Sequence, residues 1–285
     1  MNFRSLTITV TLTWLAVFVF LPHLLLLNTS LLTPHPDHLA VWPATLNNFE
    51  KVFTPLYLSV FLHSLQLSAV ATLFCLLLAY PFAWVVSTYT TTVRAWLLFL
   101  LVLPFWTNSL IRTYAIKILL GKNGVINTIM TGLGLWQEPV QLLYTEFAVV
   151  FGLVYLLLPF MALPIYSSFD KLDHALLEAG RDLGANIVQR FLRIILPLTA
   201  PGIIAGCLIV FLPAMGMFYI ADLLGGAKNL LLGNIIKNLF LVARDWPLGS
   251  AFSVIMMSIM ALMLLVYVRI NRYVQRRGGL DDQNL

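Results

Sequence analysis

The sequence predicts an all-α polytopic membrane protein that crosses the bilayer six times. Three observations predict it. The first is composition: of 285 residues, 60% are hydrophobic and only 10% are charged, against about 25% charged in an ordinary soluble domain. A mean hydropathy of +0.90 also removes disorder, because disordered chains are polar and charge-rich. The second is continuity. Apolar residues run for about 20 positions at a time, the length a helix needs to cross ~30 Å of hydrocarbon. They do not alternate as the strands of a membrane barrel do. The third is that basic residues and interfacial rings collect near the ends of those runs.

Span one covers Leu6–Leu27. Arg4 precedes it as the basic start of a signal peptide would, but the apolar run is long for that role and no A-x-A pattern comes after it. It reads as a retained helix. Span two covers Ser59–Val86, span three Trp96–Ile116, span four Ala148–Tyr166, span five Pro201–Ile220 and span six Leu248–Val268. Pro81, Pro104, Pro159, Pro164 and Pro213 fall within spans two to five. Each removes an intrahelical hydrogen bond and bends the chain. Carbonyls freed in lipid need packed or wet surroundings, so these spans are expected to be interrupted and to belong to a bundle that moves. Span five opens on Pro201-Gly202-Ile203-Ile204-Ala205-Gly206, whose two glycines form a surface for close helix approach.

Six spans place both termini on one side. Arg4, Arg94, Lys171, Arg181, Arg190, Arg193, Arg269, Arg272, Arg276 and Arg277 then gather there, against Lys51, Lys117, Lys122, Lys228, Lys237 and Arg244 on the longer opposite segments. The positive-inside rule puts both termini in the cytoplasm. The net charge of +5 is explained in the same way and calls for no nucleic acid. Trp42, Tyr57, Trp136, Tyr144 and Trp246 fall near outer ends, and Trp84, Tyr89, Trp96 and Tyr267 near inner ends. Trp14 and Trp106 instead sit at membrane depth.

Chemistry is sparse. Cys75 and Cys207 lie inside apolar runs without CxxC spacing and read as small buried hydrophobes. The five histidines are scattered, and there is no HExxH, GxSxG or GxxxxGK[ST] string. No catalytic residue, metal site or bound cofactor is expected in this chain.

The segment between spans four and five, residues 167–200, is unlike the rest. It carries Asp170, Lys171, Asp173, His174, Glu178, Arg181, Asp182, Arg190 and Arg193. Leu172, Leu176, Leu183 and Ile187 recur at helical spacing, with small Ala179 and Gly180 beside them. That is an amphipathic helix, broken or turned at Gly184. It suits a groove on another protein or, alternatively, the bilayer surface. Its mixed charge favours the protein.

Glu178-Ala179-Gly180, then Gly184, then Ile194, Leu196 and Pro197 resemble the E-A-A loop of ABC importer permeases, with Gly180 in place of the second alanine. Pro104–Tyr114 and Leu212–Asn229 resemble, more narrowly, spermidine/putrescine permeases. The resemblance runs over nearly the whole chain and implies one permease domain, 1–285, with the six-helix type I bundle (MetI-like). It implies that 167–200 is a cytoplasmic coupling loop, whose Glu178, Ala179, Gly180 and Gly184 dock on an ATPase subunit dimer. Ile194, Leu196 and Pro197 would lead into span five. ATP and Mg would be bound by that ATPase. The implied partners are a second, homologous permease subunit, a periplasmic polyamine-binding protein and membrane lipid.

A polyamine carries several ammonium groups, and aromatic faces attract each by roughly 0.5–2 kcal/mol. Trp106, Tyr114, Tyr219 and Trp14 are therefore candidates for the path, with Asn108 offering a carbonyl oxygen and Asp222 a carboxylate. Arg112 would repel a cation and is expected to pair or to face the outer surface. Two other readings stand beside this one at the level of sequence: a permease for an anion or metal, which shares the loop, and a membrane-embedded enzyme, which needs a polar cluster beyond Asn108, Arg112 and His63.

Overall fold

The computed structural model describes residues 3–35 and 38–277. Among the described residues every regular element is helical, and one isolated antiparallel bridge joins Thr33 to Val41. The helices are α1 (Arg4–Ser30), α2 (Asn47–Val52), α3 (Pro55–Thr88), α4 (Thr91–Trp106), α5 (Ser109–Leu120), α6 (Val125–Gly132), α7 (Glu146–Asp170), α8 (His174–Asp182), α9 (Ile187–Gly216), α10 (Leu232–Leu241) and α11 (Trp246–Arg277). Five of them, α1, α3, α7, α9 and α11, are long and apolar enough to cross a membrane, and α4 with the Ser109–Gly132 segment makes a sixth as a bent pair.

That bend falls where Pro104 was expected to interrupt span three, which is not one rod. The last turn of α4 tightens at Leu103–Trp106, Thr107 and Asn108 are extended, and the chain turns by 92°. Pro104 lacks the N–H that would continue the helix. The Asn108 side chain then restarts it by accepting the Leu110 amide at 2.8 Å. Span five is also displaced. Its helix begins at Ile187 and stops at Gly216, where Met217 leaves helical space (φ −76°, ψ 64°), and single turns at Phe218–Ile220, Ala221–Gly225 and Gly226–Lys228 succeed it. The interruptions expected at Pro81, Pro159 and Pro164 do not occur, for these prolines lie inside continuous helices. One lost hydrogen bond does not divert a helix such as α7, whose apolar stretch is mostly buried against neighbours.

The chain forms two compact units. The first holds the described residues up to Leu62 together with Leu232–Ala261. In it, buried Asn48 donates its Nδ2 to the carbonyls of Ser30 (2.9 Å) and Leu32 (2.8 Å), tying α2 to the end of α1. Tyr57 meets Phe252 edge-on at 5.1 Å, and Phe240 meets Trp246 at 5.3 Å, joining α3, α10 and α11. No residue in the most apolar stretch of α1 is buried.

The second unit holds His63–Leu231 and the described residues from Leu262 onward. Its core is the antiparallel pair α7 and α9. Leu153, Leu156, Leu157, Met161 and Ile165 are buried on α7, and the glycines of α9 lie against Met161, Pro164 and Ser168. A Cβ on Gly202 would lie 2.6 Å from the Pro164 carbonyl, and one on Gly206 would lie 2.7 Å from Met161 Sδ. Neither position has room for a methyl group, so the small-residue motif acts in packing. On α3, Ala71, Cys75, Ala79 and Ala83 recur every four residues as a buried row. Cys75 directs its thiol to the Val154 carbonyl at 3.8 Å, as a small residue in close helix contact.

Candidate functional site

The charged loop begins where α7 ends. Arg94 donates from Nη1 to Asp170 Oδ1 (2.6 Å) and from Nη2 to the Ser87 carbonyl (3.0 Å), while Tyr166 donates to the same carboxylate oxygen at 3.3 Å. This joins the end of α7 to the α3–α4 turn. Asp173 caps α8 by accepting the Ala175 amide at 2.9 Å. After α8 the chain reverses at Gly184, whose φ of +80° is a conformation that strains side chains larger than hydrogen. Asn186 and Gln189 form a reciprocal capping box that starts α9 at once.

The stripe read from the sequence is therefore split. Leu176 is on α8, Leu183 is in the turn, and Ile187 opens the next helix. All three are exposed with Val188, and Leu183 is bare at 87%. The small surface expected around Ala179 thus carries more apolar bulk than the stripe implied. Of the docking residues, Glu178, Ala179 and Gly184 are exposed. Gly180 is buried, and a Cβ there would meet Ile194 Cδ1 at 2.7 Å and Arg190 Cγ at 3.5 Å. Glycine at this position lets α8 lie flat on the first turns of α9. Ile194, half-buried, makes that contact. Half-buried Leu196 and exposed Pro197 belong to α9 itself rather than to a lead-in segment.

Four rings that the sequence reading did not join brace this hairpin. Phe191, at the start of a π-helical turn (Phe191–Ile195), stacks on Trp84 at 5.7 Å and meets Tyr80 at 5.9 Å. Phe169, in the last turn of α7, meets Tyr80 at 5.3 Å and stacks on Trp84 at 6.3 Å. Tyr80 also shares a 3.0 Å hydroxyl hydrogen bond with Thr199. Trp84, expected in the interfacial belt, is thus part of a joint between α3, α7 and α9. The i, i+4 spacing of Tyr80 and Trp84 was the only local signal for it.

The candidate path residues divide between the two units. Trp14 lies on α1 in the first unit, exposed and packed on Phe18 at 5.5 Å. Trp106, Asn108 and Tyr114 surround the α4–α5 bend in the second. Trp106 is 76% exposed, and Tyr114 is exposed as well. Tyr219 is half-buried and Asp222 exposed in the single turns beyond α9, and α5 packs on the Ala221–Gly225 turn. Two broken segments thus meet there. The Asn108 oxygen, offered to a cation by the sequence reading, is engaged in capping α5. Among the described residues Arg112 makes no ion pair, and it is buried. It is 8% exposed, and its guanidinium carbon lies 4.7 Å from the Phe105 ring and 5.9 Å from the Tyr155 ring. Among the described residues no group of three or more metal-ligating side chains gathers.

Residues 3–278 match the family described as the inner membrane component of binding-protein-dependent transport systems. The chain is 53% identical over 280 residues to the spermidine/putrescine transport system permease protein PotB of Haemophilus influenzae, covering 98% of each. It is 53% identical over 268 residues to PotB of Escherichia coli K12, covering 94% of this chain and 98% of that one. In fold it is similar to a bacterial ABC transporter that imports the acidic polysaccharide alginate, with a TM-score of 0.74 at 18% identity over 96% of this chain and 95% of that one. It is also similar to the MetNI methionine ABC transporter in inward-facing conformations, with a TM-score of 0.55 at 15% identity over 78% of this chain and 99% of that one. The chain belongs to the inner-membrane components of binding-protein-dependent transport systems, the ABC importer permeases.

Proposed function

We propose that this chain is the membrane-spanning subunit of an ATP-driven importer that carries polyamines, spermidine or putrescine, from the periplasm to the cytoplasm. The observation that carries the reading is the hairpin of α8 and the Gly184 turn. It exposes Glu178, Ala179, Leu183 and Gly184 while rooting itself in a four-ring joint, in a chain whose full-length relatives are polyamine permeases. A separate ATPase dimer binds ATP and Mg and docks on this hairpin from the cytoplasm, where both termini lie. A second, homologous permease completes the membrane path, and a periplasmic binding protein delivers the polyamine.

The work passes as alternating access. Nucleotide closes the ATPase dimer, the hairpins of the two permeases approach, and the bundle opens outward. Hydrolysis returns it inward. A docking contact of equal strength in both states would shift nothing, so the hairpin must transmit a difference, and the rigid joint at Phe191 supplies the connection to α3 and α7. The cation crosses near the α4–α5 bend and the turns beyond α9, where Trp106, Tyr114 and Tyr219 offer ring faces and Asp222 a carboxylate. Trp14 is a further candidate on α1. A site of several weak faces lets a polycation enter without trapping it.

The test is purification of the tagged chain with its co-purifying subunits, then ATP-driven uptake of labelled spermidine and putrescine in proteoliposomes. Glu178→Arg should abolish uptake or ATPase co-purification. Unaltered uptake in that variant refutes the docking role, and a wild-type complex that moves neither polyamine refutes the substrate. Leu183→Cys, in a chain whose Cys75 and Cys207 are replaced by alanine, should label only from the cytoplasmic face.

A further inference from the structure

Arg112 is the buried charge that the transport reading leaves without a task. Its guanidinium sits 4.7 Å from the Phe105 ring centroid and 5.9 Å from that of Tyr155, within the range of a cation–π contact for both. Its Nε and Nη1 are buried and have no hydrogen-bond partner among the described residues. It therefore rests on ring faces instead of on a carboxylate or a carbonyl. Its position in the first turn of α5 adds to its discomfort, because the N-terminal end of a helix carries partial positive charge. A buried arginine in a bent apolar segment, without a counter-ion among the described residues, marks a functional position. The Phe105 ring also meets Phe160 edge-on at 5.0 Å. Phe105 is half-buried, and Tyr155 is exposed on the wall of a groove of about 330 Å³ shared with Phe74, Phe147 and Phe151.

We propose that the Phe105–Tyr155 ring pair is a cation site of this permease, occupied by the Arg112 guanidinium in this state and by a primary ammonium group of the transported polyamine in the loaded state. Arg112 acts as a resident stand-in. It keeps the rings from holding a stray cation at rest. Because its Nε and Nη1 have no partner among the described residues, displacing it breaks no hydrogen bond at those atoms. The inference rests on the polyamine reading and deepens it.

The experiment is equilibrium binding of labelled spermidine to the purified complex in nanodiscs, without the binding protein. Arg112→Met and Arg112→Gln empty the cage of its competitor and should bind spermidine about two- to fivefold more tightly than wild type. Arg112→Lys restores a resident cation and should return the wild-type Kd. Phe105→Leu in the Arg112→Met background removes a ring and should erase the gain. Neutral variants that bind no more tightly than wild type overturn the inference, as does an Arg112→Lys chain that behaves like Arg112→Met. If neither neutral variant assembles, Arg112 is structural and the inference falls. Wild-type uptake is measured first. A complex that imports no polyamine refutes the substrate reading and takes this inference with it, whereas an active wild type with unresponsive variants refutes this inference alone.

Discussion

Replacing Phe191 with alanine should cut the link between ATP hydrolysis and transport while leaving the bundle folded. Phe191 is half-buried, stacked on Trp84 at 5.7 Å and edge-on to Tyr80 at 5.9 Å. Truncating a fully buried phenylalanine costs about 3–5 kcal/mol, and a half-buried one roughly half of that. Each aromatic pair adds about 0.5–1.5 kcal/mol beyond area. With two such pairs the joint should weaken by about 2.5–5.5 kcal/mol, or roughly 60- to 10,000-fold in the equilibrium between the seated and unseated hairpin. Phe191 sits at the margin of the α7–α9 core, packed against its buried set without belonging to it. The assay is the ratio of ATP hydrolysed to spermidine imported in proteoliposomes, alongside the melting temperature of the complex. The ratio should rise several-fold. Phe191→Leu, which keeps most of the volume and loses ring pairing, should fall between alanine and wild type. An unchanged ratio in a correctly assembled Phe191→Ala complex would show that force does not pass through the four rings.

The same geometry sets three further outcomes. Gly206→Ile places a branched side chain where a Cβ already lies 2.7 Å from Met161 Sδ; the chain should fail to accumulate as a monodisperse peak in fluorescence-detected size exclusion, whereas Gly132→Ala, where a Cβ meets nothing within 4 Å, should behave as wild type. Leu183→Ser removes a side chain that is 87% exposed, so the melting temperature of the isolated chain should move by no more than about a degree while ATPase co-purification drops several-fold. Trp106→Ala removes a ring that is 76% exposed and touches Phe99 edge-on at 5.6 Å; it should slow polyamine uptake severalfold in a fully assembled complex, and normal uptake removes Trp106 from the path.

Much of this molecule is written in local pattern. The five unbent spans come from apolar length alone, the turn at Gly184 from its residue type, and the tight α7–α9 contact from the spacing of Gly202 and Gly206. The bend in span three shows where such reading stops. Pro104 and Pro81 look alike in a sequence window, yet the helix ends beside one and runs through the other. The difference lies in the residues immediately C-terminal to each proline. Thr107-Asn108-Ser109 is a ready helix start after Pro104, while Phe82-Ala83-Trp84 offers no cap and buries Ala83 among neighbours. The inward turn of Gly180 and the four-ring joint were not legible, because Tyr80, Trp84, Phe169 and Phe191 come together only through the packing of three helices. Arg112 was legible as a problem but not as a solution, since the rings that hold it come from the residues before the bend and from α7.

The first helix has one more consequence. It runs for 27 residues with none of its most apolar stretch buried, which at 1.5 Å per residue is about 40 Å of rod in a slab whose oily layer is about 30 Å deep. A rod longer than its slab leans, and this one is held at its end by Asn48 on the Ser30 and Leu32 carbonyls. Lipid thickness biases its inclination about that tether, so reconstitution in long-chain lipids should stand it more upright than reconstitution in short-chain ones.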